Sequence, residues 1–151
     1  MGWTFLCCVV NQERSKKRPP LAVETILDFS RCNLLEIPNS EIDFQDFEEI
    51  DLSYNKLEEL DPVLMRCRNV RVLNLADNQL RMMNEQLAAA FKHLRILNLA
   101  HNRFEEIPTL IGTFEYLQAL DLSNNPIGKI LDGTVTEVVT LRELRLNSCG
   151  L

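Results

Sequence analysis

The sequence predicts an α/β solenoid, a coil of short repeats with a curved parallel sheet on one side and short helical or 3₁₀ returns on the other. Three observations carry this expectation. An apolar spacing recurs in four unbroken copies, an Asn holds the same place in each, and successive copies lie 23 or 24 residues apart.

The spacing is Leu-x-x-Leu-x-Leu-x-x-Asn-x-Leu-x-x-Leu. It is met by Phe47, Ile50, Leu52, Asn55, Leu57 and Leu60, then by Val70, Leu73, Leu75, Asn78, Leu80 and Met83. The third copy is Leu94, Leu97, Leu99, Asn102, Phe104 and Ile107, and the fourth is Leu117, Leu120, Leu122, Asn125, Ile127 and Ile130. A degenerate copy precedes them (Leu27, Phe29, Cys32, Leu34, Ile37) and a truncated one follows (Leu141, Leu144, Leu146, Cys149, Leu151). This is the leucine-rich-repeat pattern. Its Leu-x-Leu centre alternates with the two-residue period of a strand, so one side points into the coil and the other to solvent. At the ninth place the chain leaves the strand. An Asn there can donate to and accept from backbone groups of the turn and the adjoining repeat, so Asn55, Asn78, Asn102 and Asn125 are expected to stack as a structural ladder. Cys32 and Cys149 take that slot at the two ends, where a small thiol can be buried.

On the return side, Leu64 with Cys67, Leu87 with Phe91, Ile111 with Phe114 and Val135 with Val138 are three or four apart, the spacing of one helical turn. The Ala-rich stretch from Asn84 to His93 is the best candidate for a true helix. Ile37-Pro38, Asp61-Pro62, Ile107-Pro108 and Leu131-Asp132-Gly133 read as the turns that lead there. The coil stops at Leu151 with no capping segment, which predicts a fragment, a short isoform or a partner covering that end.

Composition narrows the function. The net charge of −6 argues against nucleic acid, whose phosphates call for surplus Lys and Arg. Five cysteines, an odd number with Cys7 and Cys8 adjacent, do not form a disulfide framework and point to a reducing compartment. The scattered glycines make no phosphate loop. His93 and His101 have no Cys or carboxylate neighbours at metal spacing, and acidic pairs such as Glu58-Glu59 read as solvated faces. Catalysis, a metal site, a cofactor and a small-molecule substrate are therefore not expected.

What remains is the concave face, whose variable positions suit a protein or peptide ligand. The candidate contact residues are Glu49, Asp51, Tyr54, Arg71, Asn74, Arg95, Asn98, His101, Gln118, Asp121, Arg142 and Arg145. Ser53, Ala76, Ala100 and Ser123 are read onto the same face. The fifth position forms a polar file: Asp28, Asp51, Asn74, Asn98, Asp121, Arg145.

Residues 1–22 stand apart from the repeats of residues 23–151. The apolar run Trp3 to Val10 is followed, not preceded, by Arg14, Lys16, Lys17 and Arg18, the wrong polarity for a secretory signal, and it is too short to cross a bilayer. Two readings stay open: a lipid anchor acylated at Cys7 and Cys8 beside a basic cluster, or a hydrophobic cap on the first repeat. The Cys-rich opening, the segment Val23 to Pro38 (VETILDFSRCNLLEIP), and Ser123 to Gly133 leading to Leu144 to Ser148 together resemble the LAP proteins, the leucine-rich-repeat and PDZ scaffolds that include Scribble, Erbin, Densin and Lano. That resemblance implies a cytoplasmic scaffold at basolateral membranes or junctions, with palmitate on Cys7 and Cys8. The chain departs from the family in its few repeats and in having no PDZ segment. The runner-up is a Ras-pathway or phosphatase-regulatory repeat adaptor in the cytosol.

Overall fold

The computed structural model describes residues 25–38, 45, 47–128 and 138–150. Six three-residue strands, β1 (Ile26–Asp28), β2 (Glu49–Asp51), β3 (Val72–Asn74), β4 (Ile96–Asn98), β5 (Ala119–Asp121) and β6 (Glu143–Arg145), pair in parallel and in sequence order. The register never slips: Leu27, Ile50, Leu73, Leu97, Leu120 and Leu144 lie side by side. The fold is thus the expected leucine-rich-repeat solenoid, with the central residue of each strand turned into one continuous core. A fully buried Leu contributes about 1.5–3 kcal/mol relative to exposure, and Ile50, Leu73 and Leu97 have no accessible surface.

The convex returns are 3₁₀ segments, Pro62–Arg66, Glu85–Ala89 and Thr109–Thr113, rather than α-helices. Asn84 to His93, expected as a helix, supplies only the second of these. The reason is spatial. Adjacent strands are about 4.8 Å apart, whereas an α-helix with its side chains is about 10 Å wide, so helices behind every strand would splay the coil. A 3₁₀ segment is narrower and climbs about 2.0 Å per residue against 1.5 Å, so five residues cover more of the return. Asp61 and Asn84 start two of them by accepting from the amides of Val63 (2.7 Å) and Gln86 (2.9 Å). The expected pairs Leu64 with Cys67, Leu87 with Phe91, and Ile111 with Phe114 are all buried. Val135 and the turn at residues 131–133 lie outside the described residues, as do residues 1–22 with Cys7 and Cys8.

Cys67 packs in this convex core with no accessible surface, and burial pushes its thiol pKa from 9.0 to about 12. It is an inert apolar filler. Cys32, Cys67 and Cys149 are all buried.

Candidate binding face

The geometry of the concave face begins with the ladder beneath it. Each Asn amide donates to the sixth-position carbonyl of its own repeat and to that of the repeat before. Asn78 donates to Leu75 (3.1 Å) and Leu52 (2.9 Å), Asn102 to Leu99 (3.1 Å) and Leu75 (2.9 Å), and Asn125 to Leu122 (2.9 Å) and Leu99 (2.9 Å). Each Asn Oδ1 accepts from the eleventh-position amide of the preceding repeat: Leu34 to Asn55 (2.9 Å), Leu57 to Asn78, Leu80 to Asn102 and Phe104 to Asn125 (3.0 Å each). Each amide also reaches the seventh-position carbonyl of its own repeat, as Asn78 reaches Ala76 at 3.3 Å, so one side chain ties two repeats through four backbone groups. At the end, the Cys149 thiol donates to Leu122 O at 3.2 Å, and having no amide it supplies half of that function.

The turn above the ladder is equally constrained. Arg31, Tyr54, Asp77, His101, Asn124 and Ser148, the eighth positions, all have φ between 55° and 58°. This left-handed conformation is easiest for Asn, Asp and His among residues with a Cβ. It aims each eighth-position amide at the seventh-position carbonyl of the next repeat, for example Tyr54 to Ala76 (3.0 Å) and His101 to Ser123 (2.8 Å).

These constraints sort the sequence-read face. Ser53, Ala76, Ala100 and Ser123 are not concave contact residues: all four are buried, because the turn rotates the seventh position inward. The fifth-position file has a structural task. Asp28, Asp51 and Asp121 each accept from the amide two residues on at 2.9 Å, and Asn98 accepts from Ala100 at 3.0 Å, so this slot selects Asp or Asn for the turn itself. Arg145 breaks the file and is held by Glu143 (2.6 Å) and Asp121 (3.7 Å). Tyr54 stacks beneath the Arg31 guanidinium, 4.3 Å from its ring centre, and His101 bonds Asn124 at 3.1 Å.

One column was read in the sequence only at Glu49. Third-position residues Ile26, Glu49, Val72, Ile96, Ala119 and Glu143 are exposed or half-buried, with Ile96 44% accessible. Strict alternation would leave only one open residue before each buried fourth position. The backbone instead sends two successive amides to one carbonyl: Arg71 and Val72 to Glu48, Arg95 and Ile96 to Arg71, Gln118 and Ala119 to Arg95, Arg142 and Glu143 to Gln118. The second and third side chains of each repeat both stay accessible as a result. The face is then a basic border (Arg71, Arg95, Arg142, with Gln118 among them) beside an apolar column (Val72, Ile96, Ala119) and the Asp/Asn file. Arg71 pairs with Glu48 at 3.5 Å, both half-exposed, whereas Arg95 and Arg142 have no ion pair among the described residues.

No group of three or more His, Cys, Asp or Glu could hold a metal ion among the described residues, and no helix among them is long and apolar enough to cross a membrane. An open groove of about 590 Å³ lies toward the convex side, lined by Glu59, Met82, Glu85 and Glu106 among others. It contains none of the concave residues.

A stacked parallel sheet with an Asn ladder, left-handed turns and 3₁₀ returns defines the class: a repeat protein whose side chains are displayed from a rigid curved lattice. The chain belongs to the leucine-rich-repeat family, whose model, "Leucine rich repeat", matches residues 47–104 and 92–151. Receptor-like protein 9b of Arabidopsis thaliana is 33% identical over 123 residues, covering 78% of this chain and 13% of that protein. Among solved structures, the Leptospira interrogans protein LIC12759 matches with a TM-score of 0.69 at 29% identity, covering 77% of this chain and 29% of that one. The plant peptide hormone receptor RGFR1 in complex with RGF2 matches at TM-score 0.56 and 29% identity, covering 67% of this chain and 16% of that one. The chain thus spans a minor part of the proteins it resembles.

Proposed function

We propose that this chain is a non-catalytic docking module whose concave sheet binds a protein partner, and that it serves a scaffold or adaptor at the cytoplasmic face of a membrane. The observation that carries the reading is the partly exposed apolar column Val72, Ile96 and Ala119 set beside Arg95, which makes no ion pair among the described residues, on a backbone whose turns are hydrogen-bonded from repeat to repeat. Side chains held on such a lattice lose little freedom on binding, so contact energy is not consumed by ordering. The solved relative in complex with RGF2 supports the same use of the fold.

The membrane and cell-polarity part of the reading rests on the LAP-like entry and on Cys7 and Cys8 followed by a basic cluster. Two acyl chains beside basic residues give stable attachment where one chain gives only a marginal one.

Two experiments test these parts separately. Quantitative mass spectrometry of co-purifying proteins is expected to lose its specific partners with concave Ile96→Asp and to keep them with convex Met65→Asp; equal loss or equal retention refutes concave docking. Acyl exchange with membrane fractionation is expected to turn the chain soluble when Cys7 and Cys8 become Ser. Unchanged membrane association removes the anchor.

A further inference from the structure

The concave face also limits what the partner looks like, an inference that rests on the docking role proposed above. Its accessible charges are ordered along the solenoid axis. At β2, Glu49 carries no ion pair among the described residues. At β3 and β4 the surface turns apolar, with Val72 and Ile96, and Arg95 stands beside Ile96 without an ion pair among the described residues. Arg142, just before β6, likewise makes no ion pair among the described residues, while Arg145 pairs with Glu143 and Asp121. Asn98, next to Ile96 on β4, uses its carbonyl oxygen for the turn, and its Nδ2 has no partner among the described residues. Arg95 and Asn98 thus flank the apolar spot with donors, so the complement there is an acceptor, a carboxylate above all.

The spacing follows from the sheet. Glu49 lies on β2, and Arg95 and Arg142 immediately precede β4 and β6; strands are about 4.8 Å apart, so the three charges stand at intervals of about 10 Å. A chain in the polyproline II conformation advances about 3.1 Å per residue and repeats its facing every three residues, so side chains three apart span each interval and point the same way.

We propose that the face takes a peptide in the polyproline II conformation crossing the strands, with a cationic residue over Glu49, carboxylates three and six residues after it, against Arg95 and Arg142, and apolar residues between the first two charges flanking Val72 and Ile96. The partner is a basic-then-acidic segment with an apolar centre. It is neither uniformly acidic nor uniformly basic. Opposite charge sets its direction along the coil, because the reverse orientation places its carboxylate on Glu49 and its cation on Arg142.

The test is fluorescence anisotropy on the 151-residue chain with two labelled heptapeptides, Lys-Leu-Val-Glu-Ser-Gly-Glu and its charge reversal Glu-Leu-Val-Lys-Ser-Gly-Lys. The first is expected to bind at least about ten-fold tighter, and Arg95→Glu to narrow or invert that preference. Ile96→Ala, which leaves every charge in place, is expected to weaken the first peptide several-fold. Arg95 and Ile96 are exposed, so neither variant disturbs the fold, and equal urea midpoints verify this. Equal binding of the two peptides, binding of neither, or a preference indifferent to Arg95→Glu overturns the proposal. If Ile96→Asp still strips the co-purifying partners, concave docking survives that failure; if it does not, both readings fall.

Discussion

Replacing Asn102 by Ala removes one rung of the ladder from the middle of the coil, and its cost can be worked bond by bond. The Asn102 amide donates to the Leu75 and Leu99 carbonyls and shares a hydrogen with that of Ala100 at 3.2 Å, and all three keep another donor: Asn78 at 3.1 Å for Leu75, Asn125 at 2.9 Å for Leu99 and the Asp77 amide at 3.0 Å for Ala100. The Leu80 amide differs, since it donates to Asn102 Oδ1 at 3.0 Å and Ala offers it nothing. One buried orphan donor costs about 1–3 kcal/mol, and two lost but shared hydrogen bonds about 0.5–1.5 kcal/mol each. The expected destabilisation is about 2–6 kcal/mol, a large part of the roughly 5–15 kcal/mol that holds a domain. Asn102→Cys is expected to fall between wild type and Ala, because a thiol can donate to a carbonyl as Cys149 does but serves the Leu80 amide poorly. Asn102→Asp keeps the acceptor and turns a carboxylate on two carbonyls, which raises its pKa in the folded state, so its stability should improve as pH falls. Urea unfolding followed by circular dichroism measures all three. A loss under about 0.5 kcal/mol for Ala, or Asp behaving as Asn at neutral pH, would refute the rung-by-rung reasoning.

Three further expectations follow from the same coordinates. The raised Cys67 pKa means that the unfolded chain gives up that proton near 9.0 and the folded chain only near 12, so stability falls as pH rises through this window. The decline attributable to the thiol is about 1.4 kcal/mol per pH unit, and urea midpoints for wild type against Cys67→Ala should show it as a difference in slope. Asp77→Val puts a β-branched residue at φ 55° and should cost about 1–2 kcal/mol, with Asp77→Gly near neutral; equal midpoints for Val and Gly would contradict the left-handed turn. Ala100→Leu overfills a buried seventh position and should cost about 1–3 kcal/mol, whereas a surface position would tolerate it within measurement error.

The coil was legible in the sequence because its two strictest demands leave fixed spacings. Burial of Leu73 or Leu97 needs an apolar side chain at one place in the strand, and closing the turn needs an amide at Asn78 or Asn102, so both recur in register. The return side was less legible. The Ala-rich stretch at 84–93 has strong helix propensity, and the strand spacing, invisible in any one repeat, is what limits it to a 3₁₀ segment. On the concave side, two local hydrogen-bond features hid the arrangement. Paired amides on one carbonyl keep Arg71 and Arg95 outward where alternation would turn them in, so Val72 and Ile96 form the inner column of a two-residue-wide open face, and the left-handed turn withdraws Ala76 and Ala100. The Asp/Asn file at Asp51, Asn98 and Asp121 looked like a ligand row, although its side chains also close their own turns. Charge alone could not single out Arg95 from Arg145; only the ion pairs of Arg145 distinguish them.

Photo-cross-linking in living cells, with a benzophenone side chain placed at Ile96 or at Met65, addresses the central claim most directly. Protein adducts from the sheet position and none from the convex one are the predicted result. Adducts from Met65 alone, or from neither site, would contradict a partner seated on the inner curve of the coil.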